Sequence, residues 1–131
     1  MNYKGVIIEE SLENLDVLKG IRILNTEIEP VTEKHKTPWI KRWTMHTVEI
    51  SEDEAGSFAV NVSKSLDSKH RSNWYADFRN DKIHYVIFRD KVFAVDRSKK
   101  EQYGEVVKYG VSVGIPDYQL DFSPVIKEWE R

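Results

Sequence analysis

The segment that most constrains this chain runs from Trp74 to Asp96, where short polar reversals separate three runs of β-branched and aromatic residues. Trp74–Arg79, Ile83–Arg89 and Val92–Asp96 each have the length and composition of a strand. Asn80-Asp81 suits a tight turn, because both residues tolerate left-handed backbone angles. Arg89-Asp90-Lys91 must reverse the chain again, since apolar runs flank it on both sides. Such a meander commits the chain to an antiparallel sheet, and the remaining elements must extend it or pack on it.

Successive strand side chains point to opposite faces. Trp74, Ala76 and Phe78 form an apolar stripe suited to a core, while Tyr75, Asp77 and Arg79 point the other way. His84, Val86 and Phe88 share a face, and Ile83, Tyr85, Ile87 and Arg89 take the opposite one. The second run is apolar on both sides and reads as a strand that is central or covered on both sides. A tight turn sets Arg79 opposite Lys82 and Asp77 near His84.

Upstream, Tyr3–Glu9 reads as a strand. Ser11 is placed to cap a helix carrying Leu12, Leu15 and Leu18 and closed by Gly20. Ile21–Ile28 alternates as a strand that Pro30 ends. Between Trp39 and Ile50 the apolar positions change parity, from Trp39, Trp43 and Met45 to Val48 and Ile50, which a β-bulge near Thr44–Thr47 explains.

Ser51 and Glu54 have capping-box spacing before Ala55, Phe58, Ala59, Val62 and Leu66. Ser98 and Glu101 repeat it before Tyr103, Val106, Val107, Gly110 and Val111, with Gly114-Ile115-Pro116 as the stop signal. Gly110 is expected to let this helix approach the sheet closely. Tyr118–Phe122 reads as a short strand and Val125–Trp129 as an irregular or helical end. The order implies one α+β domain over residues 1–131. The expected fold is a two-layer sandwich with a ferredoxin-like (β-α-β-β-α-β) core, both helices on one face, extended by a β-hairpin and a C-terminal helix.

Composition removes several function classes. With 131 residues and no cysteine, the chain has no disulfide, thiolate nucleophile, zinc finger or iron–sulfur ligand set. A net charge of −2 supplies no global field for a polyanion. The apolar run Val6-Ile7-Ile8 is too short for a signal-peptide core, and no segment has the length of a membrane span, so a cytoplasmic location is expected. His35, His46, His70 and His84 lack metal-ligand spacing, and no glycine-rich phosphate loop occurs. No metal or cofactor is implied.

The candidate binding surface is a polar-aromatic face formed by Trp39, Trp43, Tyr75, Asp77, Arg79, Tyr85 and Arg89. Aromatic and arginine side chains are enriched at protein interfaces, so the leading expectation is a non-enzymatic ligand- or partner-binding module that forms a homodimer. Charged groups on the same face suit a small anionic ligand. A second reading is a hydrolase or transferase acting on a nucleotide or other anionic metabolite. His84 would be its base and Asp77 the group that orients the imidazole. A third is single-stranded nucleic-acid binding, in which aromatics stack on bases and Arg or Lys neutralise phosphates.

Trp74-Tyr75-Ala76-Asp77-Phe78, the run His84–Phe93, Gly114-Ile115-Pro116 and Gln119-Leu120-Asp121-Phe122 resemble a family of small prokaryotic proteins of unknown function. The resemblance spans most of the chain. It implies a small stand-alone protein and carries no activity.

Overall fold

The computed structural model describes residues 1–31, 41–67, 74–115 and 120. Six strands form one antiparallel sheet: β1 (Tyr3–Ile8), β2 (Arg22–Pro30), β3 (Arg42–Ile50), β4 (Tyr75–Arg79), β5 (Ile83–Phe88) and β6 (Lys91–Asp96). Their spatial order is β2-β3-β1-β4-β5-β6. Two helices pack on it, α1 (Ala55–Ser65) and α2 (Glu101–Ser112). The fold is α+β, a six-stranded antiparallel sheet with two helices, and the first helix expected in a β-α-β-β-α-β core does not form.

The departure begins at the first expected helix. Residues after β1 form two short 3₁₀ turns, Glu9–Ser11 and Leu15–Leu18, and Leu15 is exposed. The Asn14 side chain accepts a hydrogen bond from the Asp16 amide, and Gly20 adopts φ +85°. Three polar residues interrupt the leucine stripe here, and local Asx geometry competes with helix. No α-helix therefore joins β1 to β2, which lie on either side of β3; β1 pairs with β3 from Tyr3↔Ile50 to Ile8↔Met45.

The C-terminal helix α2, the expected extension of the core, lies on the face opposite α1. Phe58, Ala59 and Val62 of α1 join Tyr3, Ile7, Val48, Ile50, Phe78 and Ile87 in one core. Tyr103 and Val106 of α2 join Tyr75, Val86, Phe88, Val95, Ile115 and Leu120 in a second. This gives β5 its apolar side chains on both faces, as the sequence implies.

Neither expected capping box forms. Helix α1 begins at Ala55 without a side-chain cap, after a backbone turn from the Glu54 amide to the Ser51 carbonyl. Ser98 instead donates to Asp96 Oδ1, at 2.7 Å from its hydroxyl and 3.0 Å from its amide. The C-terminus of α2 follows the sequence reading: Gly114 has φ +96°, and the Ile115 amide donates to the Gly110 carbonyl at 3.0 Å. At Gly110 a Cβ would lie 2.8 Å from Leu120 Cδ1 and 3.3 Å from Phe88 Cε1, so the missing side chain admits Leu120 as well as the sheet.

The β-bulge lies on β2, not β3. Ile23 pairs with Val48 and Asn25 with Thr47, leaving Leu24 as the extra residue. β3 keeps continuous register, and its change of apolar parity arises because both of its faces are partly covered. Gly5 marks a tight approach of β1 to β4: a Cβ there would overlap the Asp77 carbonyl oxygen and lie 2.6 Å from Phe78 Cα. The expected strand at 118–122 and the irregular end at 125–129 fall outside the described residues, apart from Leu120.

Candidate functional site

The β4–β5 hairpin assembles the imidazole and carboxylate singled out in the sequence, by a different register from the one expected. The Asn80 side chain accepts from the amides of Lys82 and Ile83, at 2.9 and 2.8 Å, which widens the turn. Arg79 therefore pairs with His84, and Asp77 with Val86. An offset of two residues preserves the face, so Asp77 reaches His84 diagonally: Asp77 Oδ2 lies 2.7 Å from His84 Nε2. Helix α2 adds a third member, since Tyr103 Oη is 3.0 Å from His84 Nδ1.

The donors can be ordered. A carboxylate only accepts, so His84 Nε2 donates to Asp77. The Tyr103 hydroxyl carries a proton that it can donate to His84 Nδ1. Burial raises the Tyr103 pKa above its ordinary value of 10.0, with the positive charges of Arg97 and Arg79 opposing that rise. The result is a directed chain from phenol to imidazole to carboxylate. It is sealed: His84 is 0% exposed, Tyr103 3% and Asp77 5%. A substrate has no route to this imidazole in the structure as it stands.

The rest of the expected surface disperses. Tyr75, Asp77 and Arg79 lie on the α2 side, whereas Tyr85 pairs with Phe78 and packs its ring 5.1 Å from that of Phe78 and 5.3 Å from that of Tyr3, on the α1 side. Grouping by polarity had put Tyr85 and Arg89 with Tyr75, Asp77 and Arg79; strand pairing separates them. Arg89 is a tether, donating to the Leu66 carbonyl and to Glu13 Oε2 at 3.1 Å. Trp43 and Tyr75 are buried, Trp43 against Trp74 at 5.4 Å between ring centroids and Tyr75 in the α2-side core. Of the seven residues, Arg79 alone is exposed among those described; Trp39, like His35 and His70, lies outside the described residues.

A second hydroxyl–imidazole–carboxylate chain sits near the opposite end of the sheet. His46 Nδ1 is 2.9 Å from Thr26 Oγ1, and His46 Nε2 is 3.1 Å from Glu9 Oε1. Here the flanking hydroxyl is at the surface, because β2 is an edge strand whose residues are exposed at every position except the half-buried Glu29. Ile23, Leu24 and Ile28 are 43%, 41% and 61% exposed. A shallow cleft of about 300 Å³ opens at the base of β2, between Gly20–Arg22 and Glu49–Glu54, and neither imidazole lines it. Among the described residues no three His, Asp or Glu side chains converge as a metal site, and no helix is long and apolar enough to cross a membrane.

Sequence reasoning missed Tyr103, which no local pattern ties to His84, and the apolar edge of β2. A signal for the latter was present: Ile23, Leu24 and Ile28 stand among Arg22, Glu27 and Glu29 in a strand too polar to be central. No protein-family model, curated protein or solved structure matches the chain.

Proposed function

We propose that this protein is a non-enzymatic binding module whose working surface is the outer edge of β2. One observation carries the reading. A nine-residue edge strand presents three exposed aliphatic side chains, while the best-assembled chemical group, Asp77–His84–Tyr103, is enclosed. An exposed edge offers unpaired backbone donors and acceptors to an added strand, and the alternating side chains supply selectivity. This moves the binding surface from the polar-aromatic face to the sheet edge and keeps the class of function.

The enzyme reading, with His84 as base and Asp77 as its orienter, requires α2 to leave the sheet before substrate can enter. Complementation of a deletion strain separates the two. Asp77→Asn retains an acceptor for His84 but not the carboxylate charge, and it should restore the phenotype. Ile28→Lys should fold and fail to restore it. The opposite pattern, with both variants folded by circular dichroism, overturns the module.

A further inference from the structure

We infer that the strand added to the β2 edge is β2 of a second copy, paired antiparallel about a two-fold axis at Thr26. This deepens the binding-module reading and rests on it. Natural edges are guarded by short length, lysine, proline or a β-bulge, and of these β2 carries the bulge at Leu24. The opposite edge, β6, has six residues and begins with Lys91. β2 has nine, contains no lysine, and carries its proline at the last position, Pro30.

Symmetry restricts the register. A two-fold axis normal to the sheet keeps each side chain on its own face, so every cross-strand pair must join residues of one face. The β3 pairing assigns those faces. Arg22, Asn25, Glu27 and Glu29 pair with Glu49, Thr47, Met45 and Trp43, whereas Ile23, Thr26 and Ile28 pair with Val48, His46 and Thr44. Because Leu24 is bulged, Arg22 and Glu29 share a face although their numbers differ by an odd step.

Centred on Thr26, the pairs are Thr26 with its own copy, Asn25 with Glu27, Ile23 with Ile28 beyond the Leu24 bulge, and Arg22 with Glu29. Each off-axis pair occurs twice. Every face rule is met, both charge pairs are complementary, and the exposed isoleucines cover one another. Centring on Glu27 sets that carboxylate against itself, and centring on Ile28 opposes Glu27 to Glu29. Centring on Asn25 carries Glu29 past the start of the partner strand at Arg22. The favoured register uses β2 from Arg22 to Glu29.

The absence of cysteine gives a clean test. Directly paired Cα atoms in an antiparallel ladder are about 4.5–5.5 Å apart, within disulfide reach. Thr26→Cys should form an inter-chain disulfide under mild oxidation, far faster than Asn25→Cys or Val111→Cys. Sedimentation equilibrium of the unaltered chain at about 100 μM, where a micromolar dimer is well populated, should give twice the chain mass. R22E alone and E29R alone should each be monomeric, since each sets like charges opposite one another. Their mixture should form a one-to-one heterodimer by native mass spectrometry, because both charge pairs are then restored. A monomeric unaltered chain, or crosslinking at 25 or 111 that matches or exceeds that at 26, overturns the inference. If the chain is monomeric yet Ile28→Lys still fails to complement, the edge serves a different partner and only the self-pairing is lost.

Discussion

The two described histidines invite comparison. Each imidazole is bracketed by a carboxylate and a hydroxyl, at similar distances: Asp77 and Tyr103 for His84, Glu9 and Thr26 for His46. Their surroundings differ. His84, like His46, lies one strand in from a sheet edge, but it sits beneath α2 and its hydroxyl partner is a core tyrosine. His46 lies one strand from the sheet edge, and its hydroxyl partner is exposed. The same polar chain therefore fixes the interior in one place and the surface geometry of an edge strand in the other. Hydrogen-bond geometry alone does not identify a working site; access does.

Asp77→Ala should separate the two regions most strongly. It removes the acceptor of a fully buried imidazole, and an orphaned buried donor costs about 1–3 kcal/mol. Urea denaturation should read that loss, while the oligomeric state of the folded protein should not change. A stability loss with altered assembly would break the division between an interior and an edge.

Tyr103→Phe should cost about 1 kcal/mol at neutral pH, the net worth of a typical buried hydrogen bond. Its pH dependence is the sharper reading. The Tyr103 pKa is raised in the folded protein, chiefly by burial. Its stabilising contribution is therefore complete below the unfolded value near 10 and is lost as pH rises through the folded value. The gap between the unaltered chain and Tyr103→Phe should narrow between pH 8 and about pH 11. A gap that widens over this range would show that the phenol ionises more readily in the fold. Tyr3, also raised by burial, contributes in the same direction in both proteins and cancels.

Ile28→Lys should have the smallest effect on the single chain. An exposed substitution away from caps and packing changes stability by within about 0.5 kcal/mol, and Ile28 is 61% exposed. Thermal unfolding of the dilute protein should show little change. A large loss at low concentration would mean that β2 is held by its own chain.

Much of the sheet is legible in the sequence because meander strands are encoded locally. The alternation in Trp74–Asp96 places Phe78, Val86 and Ile87 in the core, and the spacing of Asp77 and His84 brings them to one face even though the turn is wider than expected. What resists reading depends on distant partners. Tyr103 meets His84 only because α2 crosses to the side opposite α1. Tyr85 and Arg89 look like members of a polar face until pairing puts them across the sheet from Asp77. The stripe Leu12, Leu15 and Leu18 has helical spacing, but the turn-forming Asn14-Asp16 segment breaks it. The exposure of β2 follows from being last in the sheet: Arg22, Glu27 and Glu29 mark the strand as polar, but only pairing places it at the edge.

The junction between β1 and β4 has a consequence for the order in which the molecule assembles. Three residue pairs form it, Lys4↔Arg79, Gly5↔Phe78 and Val6↔Asp77. On one side, β4, β5 and β6 close through short reversals and need only their sequence neighbours. On the other, the N-terminal strand must wait for β3 and β4, both far along the chain. Contacts between distant segments require loop closure first and form slowly. The pairing of β1 between β3 and β4 should therefore form later than the β4–β6 meander, at the point where Gly5 leaves room for the Asp77–Phe78 backbone. β1 is the strand that joins the two halves of the sheet.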